Sequence, residues 1–212
     1  MADAAIDGAP ASPGCLQGVW RREGRSLAGR PMAEVSQVVW AQAGDWFVDV
    51  RQPRGDGGPL SHLDEAQAFG GVARWRDGTV TWNHDLDTMA RPSGHGDRAE
   101  VELDGAVLIE RGPGYEERWR LDGPPGQVSV LERRDPAGVL TARLVSVDDV
   151  YALVWAGRRP GGAALRFAEE GWEVEACVGR GAIPWPAVLA ARAGQVPAGW
   201  WRVPTSGDRA GG

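Results

Sequence analysis

His84 and Glu117 are the side chains of this sequence best suited to move a proton. Each stands in an alternating, strand-like segment: Trp82-Asn-His-Asp-Leu-Asp87 and Tyr115-Glu-Glu-Arg-Trp-Arg120. Each has a Trp two residues away, and so on the same face of a strand. His84 should also share that face with Leu86. An imidazole titrates near neutrality, and a carboxyl desolvated by indoles is pushed up towards it. Burial lowers one group and raises the other, so together they would supply a base and an acid for proton relocation without redox change. That is the chemistry of a cofactor-independent isomerase, lyase or cyclase. The plainer readings are a structural strand histidine and a Glu117 satisfied by an arginine such as Arg51.

A second constellation is Trp46-Phe-Val-Asp-Val-Arg51. Period-two alternation puts Phe47, Asp49 and Arg51 on one face, and Trp46, Val48 and Val50 on the other. Both faces are largely apolar, which requires burial on both sides. Asp49 and Arg51 either pair laterally or leave the guanidinium to bind a ligand carboxylate or carbonyl oxygen.

Such groups need walls, and the chain has eleven tryptophans against two tyrosines and three phenylalanines. Buried indoles on successive strands fill a closed barrel or wall a cavity inside one. Trp40, Trp75, Trp82 and Trp119 are the expected ligand-contacting indoles, beside Asp49 and Arg51.

Composition excludes several alternatives. All 23 basic residues are arginine, so no Schiff-base lysine exists. The arginines are scattered and the net charge is −6, which argues against a nucleic-acid partner. Cys15 and Cys177 form neither a disulfide framework nor a metal spacing. One strand histidine falls short of a metal site, and His62 and His95 sit in expected loops. No cofactor motif is present. The N-terminal residues lack a basic-then-apolar signal, and no apolar run is long enough to span a membrane. A cytoplasmic protein is expected, without membrane or cofactor, and a homodimer stays open.

The elements that must position these residues are strands. Gly18–Leu27, 35–42 and 45–52 come first. A loop follows at 53–59, with a helical turn expected at 63–68. Two hairpins are expected across Asp77-Gly78 and Asp104-Gly105. Asp122-Gly-Pro-Pro-Gly126 is the best boundary. Five more strands follow, and one helix over 186–193 with Pro186 at its start and Gly194 after its end. The chain therefore divides into a flexible head (1–16), a barrel (17–121), a second β-rich half (127–203) and a flexible tail (204–212). The fold class is all-β, an antiparallel barrel extended by that second half.

Taken in order, several segments carry a family resemblance: Gly18-Val-Trp20-Arg-Arg22, Val39-Trp40, Trp46-Phe-Val-Asp-Val-Arg51, Phe69-Gly-Gly71, Val80-Thr-Trp82 with Asp87, Glu110, Glu117-Arg-Trp119, Leu153-Val-Trp-Ala-Gly157 and Ile183-Pro-Trp185. They resemble a bacterial family of lipocalin-like β-barrel proteins, itself distantly similar to the fungal HRI1 protein. The resemblance spans roughly residues 17–203. It implies a lipocalin/streptavidin-like barrel in which the Gly-x-Trp closes one end and a nearby arginine packs over Trp20. The fungal member is a protein-interaction partner and lacks the Asp49/Arg51 pair; the bacterial proteins often carry Arg at the His84 position. Two functions follow. The first is sequestration of a small apolar or aromatic carbonyl or carboxylate compound in an indole-lined lumen, with acid–base turnover by His84 and Glu117 as an extension. The alternative is a protein-interaction module. An open lumen separates the first from a plugged barrel with an exposed apolar patch.

Overall fold

A computed structural model describes residues 14–54, 66–89, 91, 96–179 and 182–205. Most of the expected head, most of the 53–59 loop, His62, His95, most of the 88–96 loop and most of the tail lie outside the described residues. So does the first half of the helical turn expected at 63–68.

Eight strands close into an antiparallel barrel: β1 (Gly18–Leu27), β3 (Ser36–Ala43), β4 (Trp46–Pro53), β5 (Gln67–Arg76), β6 (Thr79–Asp87), β7 (Gly96–Asp104), β8 (Val107–Gly112) and β9 (Tyr115–Leu121). Neighbours pair in that order, and β9 returns to β1 through the register Trp20↔Leu121 to Leu27↔Tyr115. Closure leaves no free sheet edge along the barrel. A three-residue strand, β2 (Arg30–Met32), folds back on the end of β1. Its turn is Ala28-Gly29, both at positive φ, and the alanine there gave no turn signal in the sequence.

The Asp77-Gly78 hairpin forms as expected, both residues at positive φ. The second hairpin lies one residue later: Asp104 pairs with Val107, and Gly105-Ala106 makes the loop. Gly105 has positive φ and Ala106 does not, the pattern of a two-residue loop that takes glycine first. Residues 67 and 68 belong to β5, not to a helical turn.

One irregularity resets a face. Between Gly70 and Gly71 the β5–β6 register slips, so that Gly71 pairs with His84 and Gly70 with Leu86. His84 therefore points into the barrel, Leu86 points out, and Asp87 points in again. The expected shared face of His84 and Leu86 is corrected by this bulge.

The second sheet contains β10 (Val128–Arg134), β11 (Leu140–Val147), β12 (Val150–Trp155), β13 (Gly161–Ala168), β14 (Gly171–Gly179) and β15 (Trp200–Arg202), in the order β14-β13-β12-β11-β10-β15. One face packs on the outside of β3, β4 and β5. Val39, Val48, Val50 and Leu86 meet Val145, Val150, Val154 and Val178 there, all buried. This is why both faces of Trp46–Arg51 are apolar: one lines the lumen and the other faces the second sheet. Each such side chain contributes about 1.5–3 kcal/mol relative to exposure. The far face carries Leu131, Leu144, Leu153 and Leu165 under helix α1 (Trp185–Arg192). The helix begins one residue before the expected 186, and Gly194 follows it at positive φ.

Candidate functional site: an indole-walled lumen

The closed end of the barrel is built from stacked indoles. Trp20 is fully buried, donates its indole N–H to the Leu16 carbonyl at 2.9 Å, and stacks on Trp40 at 5.8 Å. Trp40 in turn meets Trp82 and Trp119 edge-on at 5.8 and 5.6 Å. Its N–H goes to Gln42 Oε1, so the only polar atom of that ring is satisfied inside the core. The nearby arginine expected over Trp20 is neither Arg21, which reaches Asp122 and Glu175, nor Arg22. Arg22 reaches instead to Glu34 and Glu117.

Beyond this floor lies a cavity of about 330 Å³. Trp40, Trp82, Trp119, Phe47 and Phe69 supply its aromatic walls. Asp49, Arg51 and Glu117 also line it, whereas Trp75 and His84 do not. Trp75 lies six residues beyond Phe69 on β5, about 20 Å along the strand, and packs partly buried at the other end of the lumen cluster.

Asp49 and Arg51 form the lateral pair that their spacing allowed, with Nε–Oδ1 at 3.0 Å and Nη2–Oδ2 at 3.1 Å. Burial alone would lower the guanidinium's pKa, but Asp49, and behind it Glu117, outweigh that and raise it. The fork of Arg51 is thus closed by Asp49, and only Nη1 is left uncommitted to that carboxylate. The same cation lies over the Phe69 ring at 5.1 Å. Arg91 stacks on the same ring at 5.6 Å and reaches Asp87 and Gln67.

Across the lumen the chemistry is acidic. In the eight-strand ring β8 lies four strands from β4, and so diametrically opposite Asp49 and Arg51. Glu110 on β8 and Glu117 on β9 are a direct cross-strand pair, both buried. Arg22 holds Glu117, Nη1 to Oε1 at 2.6 Å. Among the described residues Glu110 has only neutral donors: the Tyr115 hydroxyl at 2.8 Å and the Trp119 indole N–H at 3.1 Å. Burial first, and the facing Glu117 second, push the Glu110 carboxyl up to about 8. Arg22 bonds Glu117, and among the described residues no arginine bonds Glu110. The protonated acid of the lumen is therefore Glu110. The expectation had assigned that state to Glu117.

His84 is 1% exposed and stacks on Phe69, ring centroids 4.3 Å apart. Its Nδ1 lies 3.3 Å from Asp87 and its Nε2 3.2 Å from Asp97. Burial pulls its pKa down, but the two carboxylates outweigh burial and raise it. This reverses the expected lowering. A ring clamped between two carboxylates behind Phe69 is placed to tie β6 to β7, and Asp97 is the member of that clamp that lines the cavity.

The site thus contains residues that sequence reasoning did not assign to it: Glu110, Tyr115, Asp97 and Phe69, with Phe47 placed only by its face. Glu110 had figured only in the family resemblance. The alternation Leu108-Ile-Glu110 against Tyr115-Glu-Glu117 across a two-residue turn would have paired the two carboxyls, had the strand ends been known to a residue. Among the described residues no group of three or more His, Cys, Asp or Glu side chains is arranged to hold a metal ion. No helix among them is long and apolar enough to cross a membrane.

No protein-family model matches the chain, and no curated protein matches its sequence. Among solved structures it is similar to the uncharacterized protein YLR301w from Saccharomyces cerevisiae, an HRI1-like protein, with a TM-score of 0.55 and 15% identity. The alignment covers 82% of this chain and 87% of that one. At that identity the likeness establishes a shared, distantly HRI1-like fold and nothing finer.

Proposed function

We propose that this protein binds a small, largely apolar aromatic molecule inside the barrel. The observation that supports the reading is the 330 Å³ cavity, open beyond a solid indole floor and walled by Trp40, Trp82, Trp119, Phe47 and Phe69. Its size lies at the lower end of ligand pockets, and its make-up, aromatic walls with a few convergent polar groups, is theirs too. An open lumen of this kind supports ligand binding over the interaction-module alternative. A ligand carboxylate gains little here, because Asp49 already closes the fork of Arg51 and Glu110, Glu117 and Asp97 surround the same space. A carbonyl oxygen suits Arg51 Nη1 and a protonated Glu110 better. The proposal keeps the protein with the bacterial lipocalin-like barrels and in the cytoplasm.

The test is a titration of intrinsic tryptophan fluorescence with a panel of neutral bicyclic aromatics. Saturable quenching is expected, and Trp82→Phe should reduce its amplitude. Absence of saturable binding across the panel, with the same cavity accessible to the smallest members, sinks the reading.

A second reading, turnover of the ligand by acid–base chemistry, rests on the facing pair Glu110 and Glu117. A carboxyl raised to about 8 beside one bonded by Arg22 would pair an acid with a base. Glu110→Gln and Glu117→Gln should then each lower kcat by about 10²–10⁴-fold once a substrate is found. If a turned-over substrate loses nothing in either variant, catalysis does not run through this pair.

A further inference from the structure

The facing carboxyls also bear on which aromatic molecule the lumen prefers. We propose that the ligand carries a protonated amine, seated on Glu110 and Glu117, with its aromatic body between the indoles; this rests on the ligand-binding reading above.

Four observations converge on an amine. First, the two guanidinium groups that bond Asp49 and Glu117 are already matched by carboxylate. Arg51 is held by Asp49, and Arg22 by Glu34 and Glu117. The hydrogen-bond donors on Glu110 are both neutral. Glu110 is thus the carboxyl whose charge awaits a cation.

Second, Glu117 is 1% exposed and lines the cavity, yet Arg22 meets only its Oε1. Among the described residues no donor reaches Oε2. A carboxylate oxygen that opens on the cavity is placed to accept from whatever the cavity holds. An ammonium brings three N–H donors, enough for Glu117 Oε2 and the spare lone pairs of both Glu110 oxygens.

Third, Trp40, Trp82 and Trp119 surround the same space, and aromatic faces attract a desolvated cation. Fourth, the opposite wall suits the other end of such a molecule. Arg51 on β4 stands across the barrel from Glu110 on β8, so cation and carboxyl lie on opposite sides of the lumen.

Seating the amine has a stoichiometric consequence. The groups that act on Glu110 are Glu117 and the neutral Tyr115 hydroxyl on β9, and Asp49 and Arg51 on β4. Arg22 on β1 acts through Glu117. All except Glu110 are already fixed by their partners. The arriving ammonium keeps its three hydrogens, Glu110 loses its own, and that proton passes to the buffer. One proton is released per ligand bound near neutrality, and none by a neutral analogue.

The experiment uses three probes with one aromatic body: tryptamine, tryptophol and indole-3-propionate. Their binding to the full chain is measured by isothermal titration calorimetry at pH 7, in two buffers of different ionisation enthalpy. Tryptamine should bind at least tenfold more tightly than tryptophol and indole-3-propionate, with close to one proton released. Glu110→Gln should erase tryptamine's tenfold lead over tryptophol and abolish proton release. Tryptophol also reports whether the variant keeps a folded lumen. Tryptophol or indole-3-propionate binding as tightly as tryptamine overturns the amine proposal and leaves the aromatic-ligand reading standing. Tryptamine binding without proton release overturns the seating on Glu110. Binding of none of the three, where neutral bicyclic aromatics also fail, removes both.

Discussion

Glu110 and Glu117 face each other across β8 and β9, both buried and both directed into the lumen, yet only Glu117 holds an arginine. Like charges directly opposite on a sheet are destabilising unless one is neutral. The pair therefore stores a proton on Glu110, and the functional readings above follow from that asymmetry.

That proton makes stability depend on pH in a definite direction. The ordinary Glu value is 4.5 and the folded value about 8. Below 4.5 both folded and unfolded chains hold the proton; between 4.5 and 8 only the folded chain does. The folded state then binds more protons, so this contribution is present at low pH and is lost as pH rises through 8. Glu110→Gln mimics the neutral acid at every pH. Urea unfolding at pH 5 and pH 8.5 should show wild type losing stability relative to Glu110→Gln across that interval. A constant difference would mean that Glu110 is ionised throughout.

His84 should titrate above 6.5, because Asp87 and Asp97 outweigh its burial. Its stabilising contribution is complete below 6.5 and is lost as pH rises through the elevated folded value. Imidazole chemical shifts followed by NMR should give that raised midpoint, and Asp97→Asn should bring it down. A midpoint at or below 6.5 would show that the clamp does not hold in solution.

Trp20→Ala removes a fully buried ring from the floor, together with its stack on Trp40 and its bond to Leu16. The expected loss is about 3–5 kcal/mol, read as a lower urea midpoint. An unchanged midpoint would mean that the floor carries no weight.

Gly71→Ala tests the bulge. A Cβ at Gly71 would lie 1.7 Å from the Asn83 carbonyl oxygen, and that atom is backbone. The strand must shift or the pairing break, and a cost of about 3 kcal/mol or more is expected. Since the bulge turns His84 and Asp87 inward together, the His84 titration should change as well.

Arg143→Ala tests how the two sheets are joined. Arg143 is 1% exposed, holds Glu132 at 2.5 Å and Asp85 of the barrel at 2.8 Å, and lies over the Trp46 ring at 4.6 Å. Its loss leaves the buried Glu132 with Arg134 alone. Breaking such a pair costs about 3–5 kcal/mol, and the remaining partner places this one near the lower figure. A double variant Arg143→Met/Glu132→Leu should recover part of the loss; no recovery would mean that the cost lies in Trp46 and Asp85.

Period-two alternation, glycine-bearing turns and the surplus of Trp determined by themselves that the chain is all-β. They also placed Phe47, Asp49 and Arg51 on one face and Trp46, Val48 and Val50 on the other. Such features are local, since a strand's faces are set by the residue count alone. The tertiary structure decided which side chains meet. Arg51 went to Asp49 and not to Glu117, because its own strand neighbour lies within reach of both guanidinium nitrogens. Glu117 went to Arg22 because β9 closes on β1, a contact between residues 95 positions apart. Glu110 became the acid because that closure left it without a guanidinium bond. Leu86 left the face of His84 because one bulge shifted the register by a residue, and no periodicity announces a bulge. Charge state in a buried site depends on the nearest opposite charge in space, and the order of residues along the chain does not contain that distance.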